Sequence, residues 1–237
     1  TTRYFPLLPK LKLLSLQYCN NIREYDFLSE CKSLESLALV GIGFPENVLS
    51  HLKDLKFLNS LNLFTDTTQV YDFRPLINNK TLEILALNEA KVDNNVMKII
   101  STISNLEGLK IDNFHLDDDV RYFDDDGLEQ LSKLKKIKLL IINGNPYITS
   151  KGILWLVKIS DLITLNITGC RLINYTIFGV LSTFPSLRRV TVDRFPEEDT
   201  SPLREANPNI IINMVDRDQE EEEEVPVDDL EEIPPSN

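Results

Sequence analysis

DLITLNITGCRL, residues Asp161–Leu172, places Leu162, Leu165, Ile167, Cys170 and Leu172 on the spacing L-x-x-L-x-I-x-x-C-x-L. Its central pair, Leu165 and Ile167, alternates with Thr164, Asn166 and Thr168. Successive side chains of a strand point to opposite sides, so this alternation describes a strand with one buried face. Gly169 follows at the point where the chain must turn sharply, a task that suits a residue able to adopt positive φ. Cys170, small and weakly polar, is placed to face inward and satisfy that turn.

One such match means little, because a leucine-rich helix produces it by chance. Here the spacing recurs eight times, with first positions at Leu11, Leu34, Leu58, Leu82, Leu106, Ile137, Leu162 and Leu187. Successive first positions lie 23, 24, 24, 24, 31, 25 and 25 residues apart. The ninth places read Cys19, Ile42, Asp66, Ala90, Phe114, Asn145, Cys170 and Phe195. That register is the signature of a leucine-rich repeat. One coil cannot bury its apolar face alone, whereas stacked coils turn the aliphatic side chains into a continuous core. The expected fold is an α/β leucine-rich repeat solenoid of about eight repeats. Its curved, parallel β-sheet forms the concave face and short helices form the convex face.

The segments between strands must carry the chain back along the outside. Glu46–Phe57, Val96–Ser104, Gly127–Leu134, Lys151–Ile159 and Thr176–Phe184 have apolar residues at three- and four-residue steps, which predicts short helices with one inward stripe. Ser150 is the candidate N-cap of the fourth. Thr67–Lys80 contains Pro75 and no such stripe, so an irregular or short 3₁₀ path is expected there. Leu7 and Leu8 are expected to cover the first strand, and Asn209–Val215 to add a final edge strand. The chain begins at Thr1 without a polar cap for the solenoid end, so an upstream segment or another chain is expected to cover it.

Composition bounds the function. Apolar residues make up 42% of the 237, enough for a real core, and no apolar run is long enough to span a membrane. No signal-peptide pattern is visible. The three cysteines, Cys19, Cys31 and Cys170, lack C-x-x-C spacing, so neither a metal site nor a disulfide framework is expected; a reducing compartment, cytoplasm or nucleus, fits better. The two histidines, His51 and His115, have no nucleophile context, and Gly41–Gly43 is a turn after a strand, not a phosphate loop. No catalytic residue, metal ligand or cofactor site is assigned, and the chain is expected not to be an enzyme.

The long 31-residue step carries an insertion centred on Asp117–Asp126, DDDVRYFDDD. It reads as a solvated loop; if it instead met a partner, Tyr122 and Phe123 would be the anchors. The spacing does not fit a calcium loop. From Asp216 onward, eleven acidic residues stand against one basic, a net of −10 out of the whole chain's −12. The expected organisation is therefore a repeat domain over 1–215 and a disordered acidic tail over 216–237. The tail serves solubility or binds a basic partner. No basic stripe is present, so direct nucleic-acid binding is not expected.

The third, fifth and seventh places of each repeat point outward from the sheet. They predict a weakly charged face with candidate partner-binding residues Gln17, Val40, Phe64, Ile84, Asn88, Lys110, Asp112, Leu139, Ile141 and Asn143. Apolar side chains aligned on such a face mark a protein-binding patch. The expected partner is a protein, bound by a monomer or by part of a larger chain or complex.

Asn145–Cys170, NPYITSKGILWLVKISDLITLNITGC, resembles the cysteine-containing class of leucine-rich repeat, through Ile148, Thr149, Gly152, Ile153, Leu156, Leu162, Leu165, Ile167 and Cys170. That class is typical of F-box/leucine-rich-repeat proteins, substrate receptors of cullin-based ubiquitin ligases. The resemblance implies a non-enzymatic adaptor that presents a protein substrate. Ala90, Phe114 and Phe195 depart from the class at the ninth place, and no F-box pattern is found. The acidic tail after a repeat array also resembles the acidic leucine-rich nuclear proteins, which implies a basic partner such as histones. A purely structural scaffold is the third expectation.

Overall fold

The structure is a computed structural model, and it describes residues 9–19, 21–41, 43–65, 70–113, 122–196 and 199–216. Nine strands follow in chain order: β1 (Leu13–Gln17), β2 (Ser36–Val40), β3 (Ser60–Phe64), β4 (Ile84–Asn88), β5 (Gly108–Asp112), β6 (Leu139–Asn143), β7 (Thr164–Asn166), β8 (Arg189–Asp193) and β9 (Ile211–Val215). They form one open sheet whose strand order equals their sequence order, every neighbouring pair being parallel. Register follows the repeat: Leu37 pairs with Leu61, Leu61 with Leu85, Leu85 with Leu109 and Leu109 with Leu140. The 31-residue step leaves that register intact between β5 and β6.

The inward leucines explain the cohesion. Leu37, Leu39, Leu61, Leu63, Leu85, Leu87, Leu109, Ile111, Leu140 and Ile142 are all fully buried in one continuous cluster. Burying each such side chain stabilises the fold by roughly 1.5–3 kcal/mol. On the opposite side the chain returns through α1 (Asn94–Ile100), α2 (Asp125–Leu131), α3 (Ser150–Trp155), α4 (Ile177–Leu181) and α5 (Ser201–Ala206). Strands stack about 4.8 Å apart, whereas packed helices need about 8–10 Å. The helical side therefore spreads and the sheet side becomes concave.

The return segments differ from expectation in three places. Glu46–Phe57 forms 3₁₀-helix over Val48–Leu52 and no α-helix; Val48, Leu49 and Leu52 are buried, so a tighter coil satisfies the same apolar stripe. The N-cap of α3 is Thr149, not Ser150: the Lys151 amide donates to Thr149 Oγ1 at 3.2 Å. Leu172, taken as a core position, is 54% exposed, and Ile173 is buried in its place. The turn in which Ile173 N donates to Cys170 O at 2.9 Å shifts the inward direction by one residue. The irregular third return segment contains 3₁₀-helix over Arg74–Leu76, and β9 is the final edge strand. Leu7, Leu8, Ile42, Asp66, Phe114, His115, Leu116, positions 117–121 of the insertion and tail positions 217–237 lie outside the described residues.

Candidate binding face

Ninth-place side chains pin the coils that present the face. Cys170 is buried, and its Sγ donates to the Ile142 carbonyl of the preceding coil at 3.3 Å. Asn145 does the same work with an amide: Nδ2 donates to Phe123 O at 2.9 Å and Oδ1 accepts from Tyr147 N at 3.0 Å. Cys19 is half-buried, its Sγ donating to Gln17 O at 3.4 Å. Eighth-place residues turn the chain: Gly144 and Gly169 have φ of 65° and 69°, and Tyr18 and Glu89 adopt the same left-handed region without glycine's freedom.

With the coils pinned, register assembles the outward side chains into columns. Val40, Phe64, Asn88, Asp112 and Asn143 are successive partners across β2–β6. Ile84, Gly108 and Leu139 are successive partners across β4–β6, and Lys110 pairs with Ile141. Phe64, Ile84, Asn88, Leu139 and Ile141 stay partly accessible, and Gln17 is exposed with its Nε2 donating to Ser15 Oγ at 3.1 Å. Ala86 and Gly108, at outward places of the two central strands, are buried.

The polar groups of this face bond to one another. Asn88 Nδ2 donates to Asn62 Oδ1 at 3.2 Å. Lys110 Nζ lies 3.4 Å from Asp112 Oδ2, with both side chains about four-fifths covered. A lysine and an aspartate two residues apart on one strand share a face, so the sequence alone aligns them. The result is a shallow surface with an internally neutralised ion pair at its centre and aliphatic side chains beside it. Such a surface can hold an apolar anchor without stranding a buried charge.

Three sequence-assigned residues do not belong to this surface. Asn143 is 5% exposed and its Oδ1 has no hydrogen-bond partner among the described residues. The backbone ladder runs past the strand ends here, Asn113 N donating to Asn143 O and Gly144 N to Thr168 O, so neighbouring coils stay closely paired at this rim. Tyr122 and Phe123, named as anchors of an insertion contact, are 4% and 0% exposed. Phe123 N donates to Val92 O, and its ring packs where a Cβ on Gly127 would stand only 2.8 Å from Phe123 Cβ. Phe123 belongs to the core cluster, and Tyr122 is buried with its ring beside that of Tyr147.

The structure also exposes residues that the repeat template does not single out. Tyr147, Leu172 and Tyr175 are all exposed on the loops after β6 and β7, and Tyr147 lies 6.4 Å from Tyr122, ring to ring. Only the shift of the inward place to Ile173 reveals Leu172 as an exposed residue. His51 Nδ1 faces Asp26 Oδ1 at 3.7 Å on the convex side. Among the described residues no group of three or more His, Cys, Asp or Glu could hold a metal ion, and no helix is long and apolar enough to cross a membrane.

No protein-family model matches the chain, and no curated protein matches it. Among solved structures it is similar to an internalin from Listeria monocytogenes, with a TM-score of 0.52 and 17% identity, over 90% of this chain and 70% of that one. At that identity the likeness bears on architecture alone. It agrees with the strand order and register: the chain is an α/β leucine-rich-repeat solenoid.

Proposed function

We propose that this chain is a non-enzymatic adaptor that holds a protein partner against the outward face of β1–β6. The observation carrying this reading is that register puts Phe64, Ile84, Leu139 and Ile141 on the same outward face as the Lys110–Asp112 ion pair, Ile84 and Leu139 flanking Gly108 in one column and Ile141 beside Lys110. Aliphatic and aromatic anchors inside a polar margin are the pattern of protein recognition sites. Gln17, Val40 and Asn88 extend the face along the same columns.

Within that reading, the cysteine-containing repeat pattern of Ile148–Cys170 supports a role as the substrate-recognition part of a cullin-type ubiquitin ligase. The second reading, capture of a basic nuclear partner such as histones, is supported by the charge of the segment over 216–237, taken as a disordered tail after a repeat domain over 1–215. A structural scaffold is the remaining alternative. Cytoplasm or nucleus is the compartment that goes with these roles.

Affinity capture with the Phe64→Asp, Leu139→Asp double variant tests the face. Loss of the partners captured by the wild type is expected, and an identical set contradicts the proposal. Histone pull-down that survives deletion of residues 216–237 removes the second reading. A cullin-adaptor motif encoded ahead of Thr1 would separate the ligase role from the scaffold.

A further inference from the structure

The turns that lead into the strands carry a second row of side chains. Two places ahead of Leu34, Leu58, Leu82 and Ile137 stand Lys32, Lys56, Lys80 and Lys135, and Lys136 follows the last of them. Lys32, Lys56 and Lys80 lie 24 residues apart, so no basic run marks them in the sequence. Stacking makes the row. Leu34 N donates to Cys31 O, Leu58 N to Leu55 O and Leu106 N to Ile103 O, so the same turn recurs from coil to coil. Ser33 Oγ donates to Pro9 O at 2.6 Å and Asn105 Nδ2 to Lys80 O at 2.7 Å, which ties the turn of one coil to that of the coil before it.

All five lysines are exposed. Charges three places further along pair off: Lys12 Nζ lies 2.8 Å from Glu35 Oε1, and Lys138 Nζ lies 2.8 Å from Glu107 Oε2. The five lysines have no ion pair among the described residues. Neutral acceptors hold three of them instead. The coil of Leu106 has Ser104 at the lysine place. Lys80 Nζ donates to Ser104 Oγ at 3.3 Å, and Lys136 Nζ to Asn105 Oδ1 at 2.8 Å. Two ammonium groups are thus drawn onto that coil from the coils on either side of it. Lys135 Nζ donates to Ser132 O at 2.9 Å and to Lys158 O at 3.1 Å. None of these oxygens is a carboxylate, so the charges of the row repel one another uncompensated.

An anion relieves that repulsion. Glu30 and Asp54, both exposed, stand two residues before Lys32 and Lys56. A nucleic-acid duplex carries a charge about every 1.7 Å and would lie over these carboxylates as well as over the lysines. An acidic peptide can space its side chains to miss them. Phe57, directly after Lys56, is 62% exposed and offers such a peptide an apolar contact. Coils stand about 4.8 Å apart, so the row from Lys32 to Lys135 is as long as roughly six residues of extended chain.

We propose that this row of turns binds an acidic, extended segment of a partner protein, with carboxylates over Lys32 and Lys56 and in the gap between Lys80 and Lys136. Charge complementarity supplies selectivity and speeds encounter. The row is separate from the outward face of β1–β6 and does not depend on it.

The test is fluorescence anisotropy on the full chain, with a short labelled peptide of glutamates around one leucine. The wild type is expected to bind it, and to release it as salt is raised. A Lys56→Gln, Lys80→Gln, Lys136→Gln variant is expected to bind about tenfold more weakly, each exposed ion pair being worth only a few-fold. A Lys98→Gln, Lys151→Gln, Arg204→Gln variant loses the same charge from exposed places on α1, α3 and α5 and is expected to bind as the wild type does. Ser104→Glu keeps every lysine but fills the gap with a carboxylate, and is expected to weaken binding; it decides the matter if circular dichroism shows that the triple lysine variant does not fold. Ser104→Lys completes the row and is expected to tighten binding about threefold. The Phe64→Asp, Leu139→Asp variant is expected to bind the peptide unchanged.

Full binding by both the triple lysine variant and Ser104→Glu overturns the proposal, as does an equal loss in the variant on the helices. Tighter binding of a single-stranded oligothymidylate than of the peptide would assign the row to nucleic acid and overturn it. Wild-type failure to bind overturns it too, and binding gained on deleting 217–237 would then assign the row to the chain's own acidic segment. A dimer in sedimentation that the triple lysine variant dissolves would assign it to a second copy, with the same consequence.

Discussion

Phe123 shows how far single residues can mislead. Between two acidic triplets, Tyr122 and Phe123 read as part of a solvated loop or, in the alternative, as the anchors of a partner contact, because local charge dominates the pattern. Tertiary contact overrides it: Phe123 is fully buried against Gly127 and beneath Asn145. Phe123→Ala is therefore expected to destabilise the fold by about 3–5 kcal/mol, measured by urea unfolding; a change near zero would return the residue to the surface. Burial also governs two titrating groups. Loss of hydration pushes the Cys31 thiol and the Tyr25 phenol above their ordinary values of 9.0 and 10.0, with the charges of Glu30 and Cys19 adding to the rise. The folded state holds these protons more tightly than the unfolded chain, so their contribution is complete below those ordinary values and is lost as pH rises through the raised ones. Unfolding midpoints are expected to fall above about pH 9, and a Cys31→Ala, Tyr25→Phe variant to fall less steeply. Equal slopes would contradict the assignment.

At the scale of elements, the strands were legible because their period of two is local. Each inward pair that the template marks, from Leu14 and Leu16 to Val190 and Val192, is buried in β1–β8. The return segments were legible only as apolar stripes. Both 3₁₀ and α coils satisfy such a stripe, which is why Glu46–Phe57 could not be told from a helix. The cap of α3 was missed for a related reason: it depends on the neighbouring coil. Asp125 Oδ1 accepts from Thr149 N at 2.9 Å and Asp125 Oδ2 from Thr149 Oγ1 at 2.6 Å, so the carboxylate at the start of α2 fixes the start of α3. Gly152 makes room for that contact, since a Cβ there would stand 2.1 Å from Asp125 Oδ1 and 3.1 Å from its Cα. Gly152→Ala is accordingly expected to cost about 1–3 kcal/mol and to raise amide exchange at the start of α3. A neutral or stabilising result would mean that Asp125 can move away freely.

For the whole molecule, the repeat register was enough to order β1–β8, because each coil pairs only with its neighbours and the sequence order becomes the spatial order. Register also fixed which side chains share the outward face, including the Lys110–Asp112 pair. It could not fix how deep they lie: Asn143 holds an outward place, yet it is buried where the ladder bonds continue past the strand ends. The central claim is that stacked aliphatic positions hold a parallel sheet whose outward face is the recognition surface. Hydrogen exchange by mass spectrometry, with and without a captured partner, tests it most directly. The account predicts added protection on the strands at 60–64, 84–88, 108–112 and 139–143, and none on the helices at 94–100 and 150–155. Protection confined to those helices, with the strands unchanged, would contradict it.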